Sequence, residues 1–425
     1  DRSGRYTTRD FGMNYLDSLD ENAIIFTNGD NDTFPLWYAQ EVEGHRTDVK
    51  VVNLSYLTTD WYANQIQHPS YDAPAIDMLA KPVDYAYDRM QFSYVDQDAD
   101  TTAVNVFSSL RQIYDPASSN NRWNAPMIKY PNMRIPVDLD AAVKAGRISP
   151  EEADRADSVI VADMLADPEV VRTGGMTLSQ VLSLDMLATS IKNGWNRPVY
   201  FASTVPSSYY LGLQPYMRST GMAYEITPVR NAENTTEDVI AVDTDKAYRN
   251  ITERFRWGGL DKVKNPDDIY LDETVRRMVT TTRSYMLDAA TALVNEAVVA
   301  ERMDSVALSP EQIETVKAFK ADRYAKALEI VDLMIEKLPE AASPYAIQIP
   351  QKIAGIYARI GAAIGNKEAS QKALDILAKE MVRYSQNLRY YASLNPWQRA
   401  TLPRTDRFIE NYYMLYLLQD YADAG

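Results

Sequence analysis

Ala23-Ile24-Ile25-Phe26-Thr27 runs straight into Asn28-Gly29-Asp30-Asn31-Asp32-Thr33-Phe34-Pro35-Leu36-Trp37-Tyr38, and the reading of this junction decides the fold. A short apolar run rich in β-branched residues stops at a cluster of polar turn formers, and an amphipathic segment follows at once. A buried parallel strand that hands a polar loop to a helix N-terminus has this pattern. Residues 34–43 then read as the helix, with Gly44 closing it, and residues 49–54 form a second β-branched run. Strand, helix and strand make a βαβ unit whose crossover should be right-handed. In open α/β sheets ligands gather where strand ends and helix N-termini converge.

Working outward, residues 10–19 read as a short helix, and residues 58–66 as another polar loop feeding a helix. Leu178 to Lys192 is helical, Asn193-Gly194 breaks it, and residues 198–204 form a third strand. Residues 223–229 suit a fourth strand, placed at a sheet edge because Pro228 cannot donate to a ladder. Between them lies an insertion at about 69–177. It carries the polar Ser118-Ser119-Asn120-Asn121 tract and a helical pair over 139–166, with Ser149 as N-cap and Pro150 at the first helical position. A long insertion of this kind serves as a lid or a partner surface.

From Asp272 onward the spacing is helical throughout, over 274–300, 310–337, 345–364, 368–387 and 408–421. Ala325, Leu328, Ile356, Tyr357, Gly361, Ala373 and Leu377 sit where tetratricopeptide-like hairpins interdigitate, with at most two hairpins. The predicted class is α/β followed by all-α. A Rossmann-like parallel-sheet domain with the insertion spans 1–265, and a helical, tetratricopeptide-like tail spans 266–425.

The composition excludes several chemistries. A net charge of −15 without a Lys/Arg cluster argues against nucleic acid as a partner. There is no cysteine, so disulfides, thiolate catalysis and zinc-thiolate sites are out, and two histidines cannot build a multi-histidine metal centre. Gly174-Gly175 and Gly258-Gly259 lack the flanking pattern of phosphate loops and read as turns. The chain opens at Asp1 and has no apolar run of roughly 18 residues, so it reads as a soluble piece of a larger protein. No cofactor, no metal and no catalytic residue is assigned.

The candidate ligand-binding residues lie at the strand ends: Asn28, Asp30, Asn31 and Asp32 after the first strand, Asp60, Trp61 and Tyr62 after the second, Ser203 and Tyr209 after the third. Carboxylates on such a loop can hold sugar hydroxyls or a hard cation, but the calcium-loop spacing is missing. The alternative reading makes Asp32 or Thr33 the helix N-cap, with Asp30 bonding the loop backbone. Trp and Tyr beside a carboxylate suit a carbohydrate or peptide groove, or simply pack beneath the sheet edge. Three strand tips on one rim would form a cleft, provided the strands are neighbours. A hydrolase or transferase using Asp30 and Asp32, and an interaction scaffold built on the helical tail, are the alternatives.

DRSGRYTTRD at residues 1–10, NAIIFTNGDNDTFPLWYAQEVEG at 22–44, RTDVKVVNLSYLTTDWY at 46–62 and NGWNRPVYFAST at 193–204 resemble one family. It is the domain-of-unknown-function family of Bacteroidetes membrane proteins that are similar to protein O-mannosyltransferases. Its members join a multi-helix membrane part of the GT-C glycosyltransferase type to a large C-terminal part. The resemblance implies an extracytoplasmic, non-catalytic accessory domain that binds acceptor protein or glycan. It further implies a place on the periplasmic face of the inner membrane, tethered by a membrane part of the same polypeptide. The catalytic carboxylate of such enzymes lies in that membrane part, so none is carried over to this chain.

Overall fold

The computed structural model describes residues 4–119, 125–231, 240–303, 308–401, 416 and 418–422. It divides into two compact units, one of residues 8–258 and one of residues 1–7 with 259–425. The first is mixed α/β with parallel strands, and the second is helical.

The α/β unit is organised by one six-stranded sheet. Its strands are β1 (Ile24–Thr27), β2 (Lys50–Asn53), β3 (Val199–Ala202), β4 (Met217–Ser219), β5 (Ala223–Ile226) and β6 (Ala241–Val242), in spatial order β6-β4-β5-β3-β1-β2. β1 pairs in parallel with β2 and with β3, placing Ile25 beside Val51 and Tyr200. Every residue of these three strands is buried, as expected of a sheet covered on both faces. Residues 223–229 were expected at an edge, yet β5 lies inside the sheet, antiparallel to both β3 and β4. The strand stops at Ile226, so Pro228 falls outside the ladder and interrupts no hydrogen bond.

Helix α1 (Thr7–Asp17) precedes β1, and α2 (Asp30–Glu41) joins β1 to β2. Gly12 is where the two helices meet: a Cβ there would lie 2.3 Å from the Pro35 carbonyl oxygen. Helix α3 (Asp60–Gln67) follows β2, and α4 (Leu178–Lys192) precedes β3. Fourteen of the fifteen residues of α4 are buried, which makes it the central helix of the unit.

The segment expected as an insertion contains strands that periodicity did not reveal. Phe92–Val95 pairs with Met127–Ile128 and Gly175–Thr177, and Asn132–Pro136 pairs with Val104–Asn105 and Val159–Asp163. The expected helical pair over 139–166 is therefore corrected. Leu139–Lys144 and Pro150–Ala153 are helical, but Val159–Asp163 is a strand whose β-branched residues alternate in burial. Ser149 does cap its helix, in a reciprocal box with Glu152. Part of the Ser118–Asn121 tract lies outside the described residues.

The amino edge of the parallel strands is tied by two buried cations. Arg197, in the NGWNRP segment, donates to the carbonyls of Asn22 (2.7 Å), Pro74 (2.7 Å) and Ala23 (3.2 Å). Lys50 donates to the His68 carbonyl and, at 2.7 Å, to Ser70 Oγ. Burial, with the Arg197 charge nearby, pushes the Lys50 ammonium down to about 8 from its ordinary 10.5. The unfolded chain therefore binds more protons between pH 8 and 10.5, and this group's contribution to stability rises with pH across that window. Melting temperatures measured across the window should show a rise in the natural protein that is smaller in Lys50→Met. Parallel profiles would contradict it.

In the helical unit, α5 (Glu273–Met303) packs on α6 (Pro310–Lys337), and α7 (Ile349–Ile364) packs on α8 (Lys367–Ser393). Of the expected interdigitating residues, Ile356, Tyr357, Gly361, Ala373 and Leu377 are buried. Ala325 is exposed and Leu328 half-buried, because α6 turns Tyr324, Ala327, Ile330, Val331 and Met334 inward instead. Gly361 is the close approach within the second hairpin, where a Cβ would fall within 2.8 Å of the Ser370 backbone nitrogen. The helix expected over 408–421 lies outside the described residues except for 416 and 418–421. Among the described residues, no helix is long and apolar enough to cross a membrane.

Candidate functional site

Because β2, β1 and β3 are adjacent and parallel, their carboxyl tips share one rim. The polar residues there are joined across the strands. Thr204 Oγ1 donates to Asp32 Oδ2 at 2.8 Å, linking the tips of β3 and β1, and Ser55 Oγ donates to Asn28 Oδ1 at 3.1 Å, linking β2 and β1. Beneath them Asn53 Nδ2 donates to Thr33 Oγ1, which bonds the Thr27 hydroxyl.

The Asn28–Asp32 stretch is less of a loop than the sequence suggested. Helix α2 begins at Asp30, with Gly29 in extended backbone as N-cap and no side-chain cap. Asp32 is thus not the N-cap. It is the third helical residue, and its buried carboxylate reaches back to accept the Asn28 N–H at 3.0 Å. Asp30 and Asn31 are exposed in the same turn. Two acids in the first turn complement the positive end of the helix dipole and leave it unsuited to a further anion such as phosphate.

The remaining candidates separate into structural and open groups. Tyr62 is buried; its hydroxyl accepts the Asn53 N–H at 3.0 Å and donates to the Val51 carbonyl, and burial raises its pKa to about 12. Ser203 donates to the Met222 carbonyl at 2.6 Å and bonds the buried Tyr15 hydroxyl at 2.9 Å. Both are ties of the fold. Tyr209 is half-buried, and burial, with the charge of Glu169 nearby, raises its pKa. Asp60 is partly exposed at the start of α3, and Trp61 beside it is 58% exposed.

The strand ends also assemble a row of rings that was not foreseen. Phe34 stacks on Trp37 (centroids 5.8 Å, 27° between planes) and Trp37 stacks on Tyr56 (6.1 Å, 18°). Tyr56 then meets Trp61 at 6.5 Å. Phe34 and Trp61 are exposed at the ends of the row, and Trp37 and Tyr56 are half-buried between them. The signal was present as an aromatic pair spaced i, i+3 after the first strand and a second pair after the next. Only the parallel pairing of β1 with β2 makes the two pairs one surface.

Sugar rings pack their C–H faces on flat aromatics while carboxylates and amides take the hydroxyls, and peptide side chains use the same surfaces. Asp30, Asn31 and Asp60 supply polar groups on this rim. Among the described residues no cluster of three or more acids or histidines is arranged to hold a metal. A family model described as TMEM260-associated domain 2 matches residues 8–246. Neither the curated proteins nor the solved structures give a match.

Proposed function

This chain belongs to the TMEM260-associated domain 2 family, and from that premise we propose that it is a non-catalytic accessory domain of a membrane glycosyltransferase of the protein O-mannosyltransferase-like type. Its role is to hold acceptor protein or glycan on the rim formed by Asn28, Asp30, Asn31, Asp60 and Trp61. The proposal includes the extracytoplasmic, periplasm-facing position, the Bacteroidetes affiliation and the tether to a membrane part of the same polypeptide. The observation that supports it best is the exposed aromatic row beside the joined strand tips.

Asp30 and Asp32 fit this role better than catalysis. Asp32 is buried and its Oδ2 already takes two donors, Asn28 N–H and Thr204 hydroxyl, so the pair lacks the two open carboxylates that acid–base chemistry needs. Glycan arrays and acceptor-peptide pull-downs test the reading. Trp61→Ala should weaken capture about tenfold or more while leaving the melting temperature unchanged, since the ring is mostly outside the core. Capture indifferent to Trp61→Ala and Asp30→Ala would remove the rim from the account.

A further inference from the structure

A second concavity lies at the opposite, amino edge of the same strands. Asp20 and Glu21 precede β1, Asn196 and Pro198 precede β3, and Lys144 and Arg147 face them from the segment around the Leu139–Lys144 helix. Together they line a cavity of about 720 Å³, within the usual range for small-molecule sites.

The cavity is built and charge-balanced. Arg147 is nearly buried and fixed by two carboxylates at 2.7 Å, Asp20 Oδ2 and the buried Glu225 Oε1. Lys246 bonds the same two acids at 3.1 and 2.7 Å. Lys144 is exposed and forms no ion pair among the described residues. The charged lining is thus two acids, Asp20 and Glu21, against two bases, Lys144 and Arg147, and sums to zero.

Trp195 belongs to the same lining. It lines the cavity with only 2% of its surface exposed, and its buried indole N–H has no acceptor among the described residues. Its backbone sits at φ 58°, a left-handed conformation that is unusual for a bulky side chain.

We propose that this cavity is a binding site for a neutral, polyhydroxylated ligand, a short oligosaccharide, held through its hydroxyls by Asp20, Glu21, Lys144 and Asn196. Hydroxyls donate to Asp20 and Glu21 and accept from Lys144 and the Asn196 amide, so one functional group satisfies every lining type. A phosphate would meet the two acids, and an apolar ligand would strand all the polar groups.

Calorimetry on the full chain with maltotriose, mannotriose and chitotriose, and with inorganic phosphate and trialanine as contrasts, tests the assignment. At least one trisaccharide should bind, weakened about tenfold by Lys144→Ala and by Glu21→Gln, both at exposed positions that should leave folding intact. In ¹⁵N spectra, one of six indole N–H signals, the one missing in Trp195→Phe, should move on addition of that sugar. Trp61→Ala should leave this binding unchanged, which separates the cavity from the aromatic rim. No trisaccharide binding, tighter binding of phosphate or trialanine, or loss of binding in Trp61→Ala but not Lys144→Ala would overturn the proposal.

Discussion

Replacing Arg283 by alanine should cost the helical unit about 4 kcal/mol, the largest loss expected there from a single side chain. Arg283 is completely buried in α5. Its guanidinium donates to the Leu338 carbonyl at 2.7 and 3.1 Å, and to those of Pro339 and Ser343 at 2.9 Å each. These acceptors close the C-terminal end of α6, where carbonyls have no partner within the helix. The cation also lies 4.5 Å from the Tyr345 ring centre. Burial pushes the group down to about 10, so at neutral pH it is still charged and its fork still donates. Removing it strands the buried Leu338 and Ser343 carbonyls at about 1–3 kcal/mol each, partly relieved where water enters, while the Pro339 carbonyl keeps the Ala342 N–H. Arg283→Lys should recover less than half, because one ammonium cannot span acceptors set out for a planar fork. Denaturation followed by hydrogen exchange at residues 338–343 reads the effect. A loss below about 1 kcal/mol would mean that these carbonyls find other donors.

The outline of the molecule was legible wherever one residue pattern had one physical outlet. Ile24–Thr27 and Lys50–Asn53 lie in short β-branched runs that lead into polar turns, so they became buried parallel strands. Ser309-Pro310, at the start of α6, and Gly365, at the end of α7, marked helix limits through capping and left-handed backbone. What stayed hidden depended on partners distant in sequence. Val159–Asp163 is a strand only because Asn132–Pro136 offers it a ladder, and nothing local announces that. Asp30–Asp32 looked like a loop because turn formers dominate it, yet acids are also favoured in a first helical turn.

The site followed the same rule. Asn28, Asp32 and Ser203 were legible as strand-tip residues, but whether each is open or consumed depends on Ser55, Thr204, Tyr15 and Met222, from other elements. The aromatic row needed the β1–β2 pairing, and the Trp195 cavity needed elements drawn from residues 20, 144 and 196. NGWNRP, which carried part of the family resemblance, is explained in large part by Arg197 holding the backbone at the start of β1.

Asp185→Ala should be the most damaging change in the α/β unit, at about 3–5 kcal/mol. Asp185 is fully buried within α4 and accepts four hydrogen bonds: from the backbone N–H groups of Leu79 (2.9 Å) and Ala80 (2.8 Å), and from the hydroxyls of Tyr114 (2.8 Å) and Thr189 (3.1 Å). Burial pushes its carboxyl upward while the four donors pull it back. One side chain thereby pins the 79–80 backbone and the Val106–Tyr114 helix to the central helix. Alanine leaves two backbone donors and a tyrosine hydroxyl buried without an acceptor, and opens a polar void. Asp185→Asn is close in shape but turns one acceptor oxygen into a donor facing donors, so it should lose more than half as much. If Asn were as stable as Asp, one oxygen would suffice for all four donors, and the carboxylate would be needed for something other than the fold. Urea titration of the three proteins, with hydrogen exchange at Leu79 and Ala80, separates those outcomes.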